Sequence, residues 1–407
     1  MVTPARSIET KSSWIAACAA LLILTVSFGA PWILVVALKL VAAEVGGGAR
    51  SVPAFASALG WLGQGVGGII MGRVADKVGV RWTVMFGCVM ICIGLLISAG
   101  GAPWQLCLGH GVFIGLLGNG GINAPFYVYV SRLFDIRRGS ALALISSGTY
   151  FAGAIWPNVF EPAIAEFGWR QTMVYYGLFE VSVILPLAIL FLNRPPEQPT
   201  FAVSKSEHVL RILGWPPSAI YVPMLFAAFL CCVTMSIPQS HLVALCSDLG
   251  VQPSHGAAML SLLLGAGFLS RQIWGLVSDR IGGIQTLLAS SACQGVAMLG
   301  FVFTQNEVGL FAVAAAFGFG FAGLVPAYVL TLRELFPASE ASWRIPVLLL
   351  CNATGMGTGS WLGGVLYDYF GYYAPAFAAG VAANVLNFAL ISMLAWRQRY
   401  AGHGLPA

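Results

Sequence analysis

Charge is what this chain has little of. Aspartate, glutamate, lysine and arginine make up 9% of its 407 residues and apolar residues 58%, where an ordinary soluble domain carries roughly 25% charge. So small an inventory cannot cover a water-facing surface, which excludes a soluble fold and leaves the lipid bilayer. Paired cysteines are missing as well. The nine cysteines lie inside apolar runs without the C-x-x-C spacing of zinc or redox sites, so they read as small core residues, and neither a metal nor a cofactor is expected. The net charge of +5 is scattered singly through short connections rather than gathered in a stripe, which argues against nucleic acid as a partner. No nucleophile with a paired base stands out, so the chain is not expected to be an enzyme. The polar tails, roughly 13 and 11 residues, are too short for an independent output domain, which counts against a membrane sensor.

Apolar runs are what it has instead. A span needs about 20 such residues, and runs of that kind predict twelve transmembrane segments, at 14–41, 54–75, 82–101, 103–131, 140–165, 171–193, 218–246, 256–278, 283–304, 307–331, 344–367 and 373–396. The first is too long for a removable signal peptide and lacks a clear cleavage site, so it is expected to remain as a span. The stretch 194–217, with Arg194-Pro195-Pro196, Lys205, His208 and Pro216-Pro217, reads as a cytoplasmic linker. The predicted fold is therefore an all-α integral membrane protein of two pseudo-symmetric six-helix halves, residues 1–193 and 218–407.

Orientation follows from the basic residues. Of the 20 lysines and arginines, all but four fall on the side of both termini. Lys39, Arg50 and Arg170 lie on the other side and Arg271 in the membrane. By the positive-inside rule both termini are cytoplasmic, in a multi-pass protein of the inner cell membrane.

One motif occurs twice, as Gly72-Arg73-Val74-Ala75-Asp76-Lys77-Val78-Gly79 and Gly275-Leu276-Val277-Ser278-Asp279-Arg280-Ile281-Gly282, with a constant offset of 203 positions. In both copies an apolar run ends at the aspartate and another begins after the last glycine. This marks one unit duplicated into two halves, the plan of many secondary transporters, in which a site enclosed by the halves is exposed alternately. The turns themselves read as a conformational latch: glycines allow adjacent helices to approach, and Asp76 and Asp279 can pair with basic residues or helix N-termini in one state of the cycle. A turn that merely sets topology is the plainer alternative.

Arg271 lies eight residues before Asp279 on the same predicted helix, about 12 Å inside the membrane end. Its counterpart in the first half is Gly68, and Gly267 and Gly275 flank it one turn away, so neither the duplication nor a neighbouring acid on its helix accounts for it. Placing arginine there costs about 2.5–3.5 kcal/mol on insertion scales, which marks it as a functional candidate. A guanidinium pairs with a carboxylate through two parallel hydrogen bonds, so Arg271 is the candidate anchor for an anionic substrate. Hydrogen bonding to helix carbonyls, or snorkelling, is the structural reading.

Other polar residues at membrane depth extend the candidate site. Asn119, Asn123 and Tyr127 recur at i, i+4 and i+8, one stripe of the fourth span. Asn352 on the eleventh span lies at the depth of Arg271, and Tyr328 on the tenth is a further lining candidate. For Asn119, Asn123 and Tyr127, interhelical hydrogen bonding competes with a lining role. His241 can carry a coupled proton, because its unperturbed pKa of about 6.5 lies in the working range. Glu180, mid-span on the sixth segment, is the carboxylate nearest a span centre and a second proton candidate. Both also have a plain structural reading.

The sequence also carries a resemblance. The Gly-x-x-x-Asp-Lys/Arg-x-Gly turns resemble the signature loop of the major facilitator superfamily, over the whole chain. Pro125-Phe126-Tyr127-Val128-Tyr129-Val130-Ser131-Arg132-Leu133-Phe134, Arg137-Arg138-Gly139-Ser140-Ala141-Leu142-Ala143-Leu144 and Ser147-Gly148 are similar to the fourth-to-fifth-helix signature of the monocarboxylate transporters and their bacterial oxalate/formate-antiporter-like relatives. His241-Leu242-Val243, Asp248-Leu249-Gly250 and Ser270-Arg271 are similar to that branch's seventh and eighth helices. The resemblance implies carboxylate transport with protons or by anion exchange, with Arg271 as the carboxylate anchor. The chain departs from animal members at Gly267, where they carry an acid, and at Trp32 after Pro31, where they carry a lysine. Tyr150-Phe151 and Trp156 put bulk on the fifth helix where relatives often have small residues.

The expected activity is thus proton-linked transport of a small organic anion by a monomer rocking between two states in the lipid bilayer. Anion exchange, a neutral or bulkier solute, and a non-transporting solute sensor stand as alternatives.

Overall fold

A computed structural model describes residues 9–134, 136–192, 215–337 and 340–401. Among these there is no β-strand, and nine helical stretches are long and apolar enough to cross a membrane. One of them, Gly139–Phe191, contains two rods meeting at Gly168, whose φ of 78° interrupts the helix. Two further rods complete the twelve spans. Residues 103–133 are divided into Pro103–Leu108, a π-helical stretch Gly109–Asn119 and Gly120–Leu133, and the other rod is Ala341–Phe370. The chain is an all-α, multi-pass membrane protein. Most helices run a few residues past the apolar segments that predict them, because a helix continues into polar turns that hydropathy does not register.

The described residues form two compact units, 9–45 with 59–192 and 46–58 with 215–401. The expected linker, 194–217, lies outside the described residues except at 215–217.

In the first unit the opening span is broken into Lys11–Ser27, Gly29–Val36 and Leu38–Val45. Pro31 explains the first break: its ring clashes with the carbonyl four residues back, that of Ser27, and it has no N–H to offer. Two carbonyls in the last turn before the break also accept from aromatic side chains. Trp156 Nε1–H donates to the Thr25 carbonyl at 2.7 Å and the Tyr176 hydroxyl to that of Val26 at 2.6 Å. Trp156, expected as bulk beside a pocket, thus closes a helix end. The second span, Ser51–Val78, meets the π-helical stretch so closely that a Cβ on Gly63 or Gly67 would collide with the carbonyls of Gly111 or Leu116.

In the second unit the tenth span is split into Glu307–Phe321 and Leu324–Leu335. Pro326 lies four residues after Ala322, at the break, as Pro31 does in the first span. A buried hydrogen-bond network joins three spans: Tyr328 donates to Asn387 at 2.5 Å, Asn387 to Ser291 at 2.9 Å, and Asn384 to Gln294 at 3.1 Å.

Candidate functional site

Arg271 is half-buried on the eighth span, Pro253–Ile281. Its helix neighbours fix the rotation of that span. The Ser270 hydroxyl donates to the Gly318 carbonyl at 3.3 Å and Trp274 Nε1–H to that of Phe319 at 2.8 Å, both on the tenth span. At about 100° per residue, Arg271 is turned roughly 60–100° away from these two contacts. The guanidinium therefore projects from a helix held on another face.

Asn352 lies on the eleventh span, Ala341–Phe370, and is 6% exposed. Neither its Oδ1 nor its Nδ2 has a hydrogen-bond partner. A buried amide left unbonded costs about 1–3 kcal/mol, so both ends remain available to a ligand. In the first unit Asn119 is buried and Asn123 half-buried, and Oδ1 of each lacks a partner; Tyr127 is half-buried one turn on. These three keep their common stripe because the π-helix ends at Asn119 and the chain continues as the α-helix Gly120–Leu133. Tyr328 is placed differently from the lining position expected of it. It is 1% exposed and its hydroxyl is spent on Asn387.

His241 is fully buried on the seventh span, Pro217–Asp248, with both ring nitrogens engaged. Nε2 lies 2.7 Å from the Ser360 carbonyl and Nδ1 3.1 Å from the Tyr373 hydroxyl. A carbonyl only accepts, so Nε2 carries the proton and Nδ1 receives the tyrosine hydroxyl. Glu180 is also fully buried, and neither carboxyl oxygen has a hydrogen-bond partner.

The duplicated turns repay comparison. Gly79 and Gly282 have φ of 92° and 80°, a region that side chains with a Cβ disfavour. The close helix approach expected at the leading glycines is not there: a Cβ on Gly72 or Gly275 would meet nothing within 4 Å. Asp76 pairs with Arg132, at the end of the fourth span, at 2.8 Å. In the second copy the N–H of Gly283, next to Gly282, donates to both oxygens of Glu334 at 3.1 Å. Glu334 lies within one residue of the position 203 after Arg132. Both turns are therefore tied to the end of the corresponding span of their own unit, the first through the aspartate and the second through a backbone amide. Asp279, Lys77 and Arg280 are exposed.

Two features escape sequence reasoning. His110 is 2% exposed at the head of the π-helical stretch, with Nδ1 at 3.2 Å from the Leu106 carbonyl and Nε2 without a partner. Arg50, counted only as a loop charge, is 4% exposed and grips Asp248 through Nη1 and Nη2 at 2.6 and 2.7 Å. Asp368, at the end of the eleventh span, accepts the backbone N–H of Arg50; that both acids fall at span ends on the side of Lys39, Arg50 and Arg170 is the hint the sequence offers of their acting together.

The comparisons with known proteins agree with this architecture. Residues 17–342 and 224–406 match the model of the Major Facilitator Superfamily. The chain is 22% identical to the MFS-type transporter pynF of Aspergillus niger, over 84% of this chain and 81% of that protein. It is 24% identical to monocarboxylate transporter 13 of Bos taurus, over 80% and 76%. An uncharacterized MFS-type transporter of Bacillus subtilis, YcxA, is 21% identical over 78% and 80%. Among solved structures, the nucleoside transporter NupG superposes with a TM-score of 0.73 at 14% identity, covering 94% of this chain and 100% of that one. A bacterial homologue of the lysosomal transporter Spinster, inward-facing, gives 0.66 at 15%, covering 96% of each. These likenesses establish the fold, and the matched model, the twelve spans and the duplicated turns together place the chain in the Major Facilitator Superfamily of membrane transporters.

Proposed function

We propose that this transporter moves a small organic anion of the monocarboxylate kind by alternating access, as a monomer in the inner cell membrane with both termini cytoplasmic. The observation that carries the reading is Arg271, an arginine inside a span with glycine on either side of it one turn away and no counterpart in the other half. A guanidinium inside a span can receive a substrate carboxylate through two parallel charge-assisted hydrogen bonds. Asn352, with both amide atoms unbonded, offers polar contacts on a second span, and Asn119, Asn123 and Tyr127 offer them in the first unit. The likeness to monocarboxylate transporter 13 points the same way. Uptake is linked to protons, with His241 and Glu180 as the groups that carry or sense them, and the paired turns bias the balance between states.

Counterflow in proteoliposomes tests the substrate class. Vesicles loaded with an unlabelled monocarboxylate are expected to accumulate the labelled one, while vesicles loaded with the corresponding amide are not. Equal exchange with the neutral amide would remove the carboxylate from the reading.

A further inference from the structure

The turn that opens the second span is held by the ends of the seventh and eleventh spans. Arg50 donates from both guanidinium nitrogens to Asp248, and Asp368 accepts the backbone N–H of Arg50 at 2.7 Å and of Ser51 at 2.9 Å. Asp368 thus sits where a carboxylate at a helix N-terminus is favoured. The guanidinium carbon lies 3.6 Å from the ring centre of Tyr367 and 5.1 Å from that of Tyr373. Burial alone works against its charge, but Asp248 and Tyr373 more than offset it and hold the arginine's pKa above its ordinary value. The Tyr373 hydroxyl in turn donates to Nδ1 of His241, whose Nε2–H is spent on Ser360. A line of direct contacts therefore runs from a buried imidazole through one tyrosine to the buried Arg50 and its solvent-accessible partner Asp248. The charged and titratable groups around the imidazole are Arg50, Asp368, Tyr373, Tyr367 and, on its own span, Asp248.

We infer that Arg50, Asp248 and Asp368 form a clamp, closed in this structure, that opens during transport, and that a second proton on His241 loosens it through Tyr373. The inference rests on the proton-linked reading above but needs no assumption about the solute. A proton on Nδ1 occupies the lone pair that receives the Tyr373 hydroxyl. That hydroxyl must then find another acceptor, and a new positive charge stands one ring away from Arg50. Opening in turn brings water to the imidazole, and linkage makes the effect reciprocal: if opening favours the proton, the proton favours opening. Arg50 is the buried member of the pair, so removing Asp248 leaves a buried guanidinium without its carboxylate, which is disruptive.

Ala54, fully buried in the first turn of the second span, reports on the clamp. The full-length protein carrying Ala54→Cys, in lipid nanodiscs and without any solute, is treated with a membrane-impermeant thiol reagent. Its labelling rate is normalised to the denatured protein at the same pH and compared with the parent. Asp248→Asn and Arg50→Gln should each raise the rate several-fold. With the clamp residues intact, lowering the pH from about 8 to about 6, across the ordinary histidine value of about 6.5, should raise it as well. His241→Gln, which can donate to Ser360 and accept from Tyr373, should stay slow at both pH values. The clamp is overturned if both charge variants fold and label at the parent rate. The proton link is overturned if the pH response is absent in the intact clamp, or survives in His241→Gln; this arm needs no charge variant to fold. Carboxylate counterflow is read separately, so failure of the substrate reading leaves the labelling result unchanged.

Discussion

Tyr328 and Asn352 are both polar and almost fully buried in the second unit, yet the fold has used one and not the other. The Tyr328 hydroxyl completes a network with Asn387, whereas the Asn352 amide is bonded at neither end. This difference was not legible in the sequence, where each is one polar residue in an apolar run. Arg271 was legible because a charge in the middle of a span is costly wherever it points. Tyr328→Phe should therefore lower thermal stability, by about 0.6–1.5 kcal/mol if an interhelical hydrogen bond is all that is lost, and leave solute affinity unchanged. A thermal-unfolding midpoint with a binding isotherm checks this. Weakened binding at unchanged stability would return Tyr328 to the lining.

Among the elements, the paired turns were the easiest to read and the fourth span the hardest. Two copies of one motif at a fixed offset are visible in any sequence, and their final glycines do adopt positive φ. The π-helical stretch leaves no such trace, because a uniformly apolar run shows no change of period when its hydrogen-bond pattern widens. The breaks at Phe28 and at Ala322–Gly323 follow from Pro31 and Pro326 once helix geometry is applied, but span-finding by hydropathy passes over them. The turns also yield a prediction. The Asp76–Arg132 pair is about half exposed on both sides, and such pairs contribute about 0–1 kcal/mol to stability. That is too little to hold the fold and enough to tilt an equilibrium between states. Asp76→Asn should leave the unfolding midpoint and solute affinity close to the parent's while slowing turnover several-fold, and cysteine accessibility near the turn should shift with it. Normal turnover with unchanged accessibility would leave the turn a matter of topology alone.

At the scale of the whole molecule, composition alone settled that the protein lives in a bilayer, and spacing settled the duplicated bundle. The pairing of Arg50 with Asp248 and Asp368 was not accessible, because its partners lie 198 and 318 residues away along the chain and each acid alone reads as a loop charge. Energy coupling belongs to this scale. In proteoliposomes without internal solute, an inward proton gradient should drive accumulation. His241→Gln should reduce that uptake while sparing counterflow, which needs no gradient. Uptake that ignores the pH step and responds to preloaded anion would identify an exchanger.

The central claim is that Arg271 receives the carboxylate of the transported solute. Calorimetric titration of the purified protein with a monocarboxylate that supports counterflow, set beside its amide, tests it most directly when repeated on Arg271→Lys. Lysine keeps the charge and loses the two-pronged geometry. The account predicts that the parent binds the carboxylate and not the amide, and that the variant inserts and folds normally but loses most of that affinity together with transport. Undiminished carboxylate binding by a folded Arg271→Lys protein would contradict it.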